Sequence, residues 1–131
     1  MESDTQFKLL IVDDSPLVSP RVRSMLEGFE PAIIVGESYN AEEALELMQD
    51  VVPDALLLDL NLPGKNGIRM LMEVKSLYPE VKVIVFTNHA EAYYRDLCME
   101  LGADYFLDKS SEFDMLPATL RELAQEPVYT C

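Results

Sequence analysis

Two cysteines, one histidine and ten basic residues are few for a chain of 131 residues. Each shortage excludes something. Cys98 and Cys131 cannot form a disulfide framework, and no Cys/His spacing suits a zinc site. Ten Lys and Arg against 24 Asp and Glu leave a formal charge of −14. That deficit argues against a nucleic-acid partner, which needs basic patches to neutralise phosphates, and against an anionic membrane surface. No apolar run approaches the ~18 residues of a membrane span. Residues 1–6 are polar and acidic, and the apolar stretch 9–12 stops at Asp13 and Asp14, so a secretory leader is not indicated. The expectation is a reduced, cytoplasmic protein. Repeats, low-complexity tracts and linkers are also missing, and the length suits one domain over 1–131, with its core at about residues 8–125.

What the chain does have is alternation. Five short apolar runs occur at 9–12, 33–35, 55–58, 83–86 and 105–107. Each is continuous rather than alternating, as strands covered on both faces require. Helix-like stripes lie between and after them: Val18, Val22, Met25, Leu26 and Phe29; Ala41, Ala44, Leu45 and Met48; Ile68, Leu71 and Met72; Tyr94, Leu97, Cys98 and Leu101; Leu116, Leu120 and Leu123. Ser15-Pro16 reads as a capped helix start, with Pro20 then bending the helix or pushing its regular part later. Asn40 with Glu43 reads as a capping box and Gly102 as a helix stop. The last helix is expected to begin near Pro117 after a turn at 111–116, and the tail after Glu126 to fray. Five strand–helix pairs predict a doubly wound α/β sheet of five parallel strands, order 2-1-3-4-5, flavodoxin-like (βα)5.

Polar residues follow nearly every strand: Asp13 and Asp14 the first, Asp59 the third, Thr87 the fourth and Lys109 the fifth. In such sheets, ligands bind at the carboxyl ends of the strands, where the strand order reverses. Order 2-1-3-4-5 makes the first and third strands neighbours there, so Asp13, Asp14 and Asp59 should converge. A single Asp after a strand is usually a turn former; the aligned set is harder to dismiss. Three carboxylates in one pocket repel one another unless a cation joins them. With no His or Cys nearby the ligands are all oxygen, which favours a hard cation, and the absence of a Ca²⁺ loop pattern favours Mg²⁺. Lys109 supplies a second positive charge for phosphoryl oxygens, and one carboxylate could attack phosphorus to give an acyl phosphate.

These residues resemble the receiver domain of two-component response regulators. The likeness runs from Lys8 to Ala124. It rests on Asp13-Asp14, on Asp59 with Pro63 and Gly67 behind it, on Thr87 and on Lys109. The resemblance implies that Asp59 is the phosphoacceptor. It implies that Asp14, Asp59 and the Asn61 main-chain carbonyl bind Mg²⁺ (Mn²⁺ as an alternative), with Asp13 acting through water. Lys109 would contact the acceptor and then the phosphoryl group. Thr87 and Phe106 would form the switch, Phe106 standing where the family often has Tyr. Asn61 and His89 occupy positions that tune phosphoryl lifetime, although His89 reads more readily as an exposed loop imidazole. Asn88 departs from the family, which usually has a small residue there; it could narrow phosphoryl access or hydrogen-bond the phosphate. The implied donor is a sensor histidine kinase or a histidine phosphotransfer protein. The implied output is a partner protein on the face of helix four, strand five and helix five, with a homodimer left open. Tyr93 and Tyr94 could belong to that face or to the core. Arg95, Asp96, Met99 and Glu100 should lie off the apolar stripe of helix four, Cys98 should be core, and Asp108 should point away from the pocket.

The 22 residues after Lys109 leave no room for a helix-turn-helix output domain, so the chain reads as a stand-alone receiver or a piece of a longer regulator. A haloacid-dehalogenase-like phosphohydrolase would need an Asp at position 61 and a cap domain. An FMN carrier would need a Ser/Thr/Gly-rich loop after the first strand. A scaffold that signals without phosphate finds its support in Asn88 alone.

Overall fold

A computed structural model of the chain describes residues 7–27, 32–62 and 66–124. Phe29, Pro63 and Cys131 and the tail after Glu126 lie outside them. The strands are β1 (Phe7–Val12), β2 (Ala32–Ser38), β3 (Ala55–Leu58), β4 (Lys82–Thr87) and β5 (Tyr105–Asp108). They form one parallel sheet in the order β2-β1-β3-β4-β5, as expected. The helices are α1 (Val18–Leu26), α2 (Ala41–Asp50), α3 (Gly67–Leu77), α4 (Ala92–Glu100) and α5 (Leu116–Ala124), the last preceded by a 3-10 turn at Phe113–Met115.

The continuous apolar runs have the predicted cause. Leu10, Val12, Leu56, Leu58, Val83, Val85 and Phe106 pack on one sheet face with residues of α2, α3 and α4. Leu9, Ile11, Ala55, Leu57, Ile84, Phe86 and Leu107 pack on the other with α1 and α5. Side chains alternate across a strand, so a sheet covered on both faces needs every position apolar.

The helix ends show where local signals held. The Asn40 side chain accepts the Glu43 N–H at 2.9 Å. The reciprocal half of the capping box is replaced by Ser38, whose hydroxyl accepts the Asn40 N–H at 3.4 Å and donates to the Asn40 carbonyl at 2.7 Å. Gly102 has φ +108. Its N–H reaches the Met99 carbonyl and the Ala103 N–H the Cys98 carbonyl, the paired closure that a left-handed residue permits. At the other end of the sequence, Ser15-Pro16 does not start α1. Asp13 Oδ1 takes the Ser15 N–H at 2.8 Å, Ser15 Oγ accepts the Leu17 N–H and the Ser15 carbonyl the Val18 N–H, both at 3.3 Å, so a turn leads into the helix, which begins at Val18. Pro20 thereby falls in the first turn, where backbone N–H groups have no helical acceptor, and it need not bend the helix. Pro117 is likewise the second residue of α5.

Two stripes differ from expectation. In α3, Met70, Leu71 and Val74 face the core and Met72 is exposed; apolar residues at 68, 70, 71, 72 and 74 made the buried face ambiguous. In α4 only Cys98 is fully buried, with Tyr94, Leu97 and Leu101 at the margin.

Candidate functional site

Backbone hydrogen bonds carry the sheet ladder one step past three strand ends. The N–H of Asp13 reaches the Ser38 carbonyl, that of Asp59 the Val12 carbonyl and that of Lys109 the Thr87 carbonyl, at 2.9 to 3.0 Å. Each polar side chain is thus fixed by its neighbouring strand rather than by a free loop. Gly67 completes the frame. A Cβ there would stand 2.4 Å from Leu60 Cα and 2.5 Å from the Asp59 carbonyl oxygen, so only glycine lets the start of α3 lie against the backbone behind Asp59.

Asp13, Asp14 and Asp59 each place a carboxylate oxygen within 4.8 Å of the others. Asp13 and Asp59 are buried and Asp14 is exposed. Lys109 Nζ stands 2.7 Å from Asp13 Oδ2 and 3.1 Å from Asp59 Oδ2. Asp59 Oδ1 also accepts the Asn61 N–H at 3.2 Å. Burial pushes the Asp13 carboxyl above the usual range and the Asp59 charge adds to this, while Lys109 and the Ser15 N–H pull it part of the way back. Burial would lower the Lys109 ammonium, but its contacts with Asp13 and Asp59 outweigh that and leave it raised.

The donor set fits a small hard cation. Ligand oxygens around octahedral Mg²⁺ stand about 3 to 4 Å apart, so a small contraction of the acidic triad would suffice. Both Asp13 oxygens are engaged already, by Ser15 and Lys109. Asp14 accepts no hydrogen bond among the described residues.

Residues 9–121 match the response regulator receiver domain. The chain belongs to this family. It is 33% identical over 126 residues to the nitrate/nitrite response regulator NarL of Escherichia coli K12, covering 95% of this chain and 57% of NarL. It is 34% identical over 130 residues to a protein-glutamate methylesterase/protein-glutamine glutaminase of Treponema pallidum, covering 98% of this chain and 32% of that one. The LuxR-family two-component response regulator of an Aurantimonas species superposes with a TM-score of 0.80 at 28% identity, over 91% of this chain and 86% of that one. The receiver spans about a third to a little over half the length of these curated relatives. Receivers are phosphoacceptor signalling domains rather than conventional enzymes, and histidine kinases are their partners. No helix among the described residues of this receiver is long and apolar enough to cross a membrane.

The remaining sequence candidates separate. Thr87 ends β4 fully buried, and its Oγ1 accepts the His89 N–H at 3.1 Å. Strand alternation puts Thr87 on the same sheet face as Val85 and hence as Phe106, which pairs with Val85. Phe106 is buried beneath α4 rather than in the pocket. Asn88 and His89 are exposed on the loop after β4. His89 lines an open cleft of about 230 Å³ with Asn61, Asn66 and Tyr94, so the two residues expected to tune phosphoryl lifetime share one cleft. Tyr93 is exposed and meets Tyr94 edge to face at 5.3 Å. Asp108 turns to Ser110, whose N–H and hydroxyl hold its carboxyl below the usual range.

Three contacts escaped the sequence reading. Asn66 caps α3 by accepting the Arg69 N–H, a signal legible from its place ahead of an apolar stripe. Ser15 supplies Asp13 with its N–H, which no pattern announces. Arg95 was expected on an outward face of α4 but turns back over Phe106. Spacing along the helix could not show it, because the acceptor lies on another strand.

Proposed function

We propose that this receiver takes a phosphoryl group on Asp59 from a phosphohistidine donor in a Mg²⁺-dependent reaction, and that it thereby switches the surface seen by a partner protein. The observation that carries this reading is the convergence of Asp13, Asp14 and Asp59 on one pocket with Lys109 between two of them. Asp14, Asp59 and the Asn61 carbonyl would hold the ion directly and Asp13 through water, in keeping with its two occupied oxygens. The bound ion supplies charge neutralisation for the incoming phosphoryl oxygens.

An Asp59 carboxylate oxygen attacks phosphorus as the P–N bond to the donor imidazole breaks, and the imidazole leaves with a proton from solvent. Lys109 Nζ, 3.1 Å from Asp59, follows the charge onto the phosphoryl oxygens. The group adds roughly −1.5 to −2 charge. Thr87 then swings its hydroxyl away from the His89 N–H to donate to a phosphoryl oxygen, vacating space into which Phe106 can turn. Such a change biases the equilibrium only through contacts that differ between the two states. Asn88 and His89 border the entrance and, with Asn61, set how long the phosphoryl group lasts. We place the output on α4, β5 and α5, where Tyr93 is presented to solvent. The chain acts as a single domain, either by itself or as the receiver part of a longer regulator.

Intact mass tests the reading. With acetyl phosphate and Mg²⁺ the wild type gains one phosphoryl group, and Asp59→Asn gains none. No gain in the wild type with acetyl phosphate or a cognate kinase supports a scaffold that works without phosphate. Equal gain in Asp59→Asn moves the acceptor elsewhere.

A further inference from the structure

Arg21 of α1 is a cation without a carboxylate partner. Arg23, two residues on, pairs with Glu37, but the N–H donors of the Arg21 guanidinium find no acceptor among the described residues. What holds Arg21 is stacking: its guanidinium carbon lies 3.8 Å from the Phe113 ring centroid. Phe113 meets Phe86 edge to face at 4.9 Å, and Lys109 Nζ lies 5.9 Å from the Phe86 ring centroid. Both rings are buried, so one aromatic pair seats two cations. Arg21 and Lys109 line a single polar cleft of about 140 Å³ with Ser110, Ser111, Phe113 and Asp114. Because Lys109 also contacts Asp59, this cleft lies beside the acidic pocket.

We infer, on the reading of Asp59 as the acceptor, that Arg21 is a steering residue: it draws anionic phosphoryl donors to the mouth of the pocket before Lys109 and the bound ion take them over. The physical basis is the sign of the field. A donor brings a negatively charged phosphoryl group to a chain of formal charge −14, at a pocket of three carboxylates. Lys109 is committed to Asp13 and Asp59, so it offsets those acids and leaves little field for a newcomer. Arg21 has no such commitment. In salt only charges within about a Debye length act, ~10 Å at 0.1 M, and a cleft of this size keeps Arg21 and Lys109 within that reach. Stacking on Phe113 holds the charge at the rim and keeps it from folding onto Asp114, and a guanidinium stacks while staying charged at any physiological pH. Asp114 works against Arg21 in the same cleft, so its removal should act in the opposite direction. Arg21 touches no reacting atom; it raises the rate of encounter and leaves the chemical step alone.

The test follows initial rates of phosphorylation of the full chain by intact mass, at fixed Mg²⁺ and across ionic strength. The donors are acetyl phosphate, with roughly two negative charges at neutral pH, and phosphoramidate, with roughly one. At about 0.02 M ionic strength, Arg21→Gln should react about three- to fivefold more slowly than wild type with acetyl phosphate, and lose less with phosphoramidate. Arg21→Met, which keeps the cover over Phe113 without the charge, should behave alike. The gap should close at about 0.5 M. Asp114→Asn should react faster than wild type at low salt. Lys8→Gln makes the same change of net charge at the amino end of β1, the far end of the sheet, and should keep the wild-type rate. Wild-type rates in both Arg21 variants at low salt, a loss that persists unchanged at high salt, or an equal loss in Lys8→Gln overturns the steering role. A wild type that gains no phosphoryl group from either donor counts instead against the phosphoacceptor reading. Arg21 is then judged by the binding of inorganic phosphate in Mg²⁺, followed by NMR at the Ser111 amide: severalfold weaker binding in Arg21→Gln supports the role, and equal binding, or none in the wild type, refutes it.

Discussion

Magnesium at a hundredfold excess over its dissociation constant should raise the melting temperature of the wild-type chain by on the order of 10 °C and leave Asp14→Asn unmoved. The argument starts from the charges. Three carboxylates share a pocket with one ammonium, and Lys109 is placed to offset Asp13 and Asp59 rather than Asp14. Burial raises the Asp13 pKa, with Asp59 adding to it. A raised carboxyl contributes stability that is complete below its unfolded value of about 3.9 and lost as pH rises through its folded value. At neutral pH the ligand-free pocket is therefore a cost to the fold, and a divalent cation removes it. Ligation in the folded state alone is worth about 2.7 kcal/mol at that excess. Asp14→Asn relieves part of the repulsion by itself, so without metal it should melt slightly above the wild type. Calorimetry of both proteins with and without Mg²⁺ checks this. Equal shifts in the two proteins, or none in either, would remove Asp14 from the ion site.

Lys109→Ala should lose about 3 to 5 kcal/mol of stability at pH 7, because it strips two buried carboxylates of their counter-charge. Lys109 is raised despite burial, by its contacts with Asp13 and Asp59. A raised ammonium contributes stability that is complete below its ordinary value of about 10.4 and lost only as pH climbs through the folded value. Its contribution is therefore fully present at pH 7. In the variant, Asp13 can relieve the deficit by taking a proton, so much of the loss should return on acidification to about pH 5. Urea unfolding at the two pH values gives the comparison, and Lys109→Met separates lost charge from lost volume. The variant should still accept a phosphoryl group, more slowly, yet fail to pass the change to its partner. Wild-type stability, or normal signalling from Lys109→Ala, would contradict its place between Asp13 and Asp59.

The sheet was legible because its cause is local. A strand covered on both faces must be apolar throughout, and the runs at 9–12, 55–58 and 83–86 announce this without tertiary information. The pocket was legible for a related reason: Asp13, Asp59 and Lys109 each stand one residue beyond a strand, and strand order alone brings them together. Ser15-Pro16 marks the approach to α1 rather than its first turn: Ser15 Oγ accepts the Leu17 N–H and its carbonyl the Val18 N–H, as a capping serine does, but regular helix begins only at Val18. The face of α3 was ambiguous because five of seven residues there are apolar, and packing beneath the sheet chose Met70 and Val74 over Met72. Arg95 was invisible because its acceptor, the Phe106 carbonyl, is eleven residues away and on a different element.

The acidic pocket is typical of phosphoaccepting response regulators, and the chemistry of Asp59 is best tested directly on this receiver. The decisive measurement is a crystal structure of the chain with Mg²⁺ and beryllofluoride. The account predicts beryllium bonded to an Asp59 oxygen, the ion on Asp14, Asp59 and the Asn61 carbonyl, and Lys109 Nζ turned from Asp13 toward fluoride. An empty pocket with its carboxylates apart, or beryllium on another side chain, would contradict it.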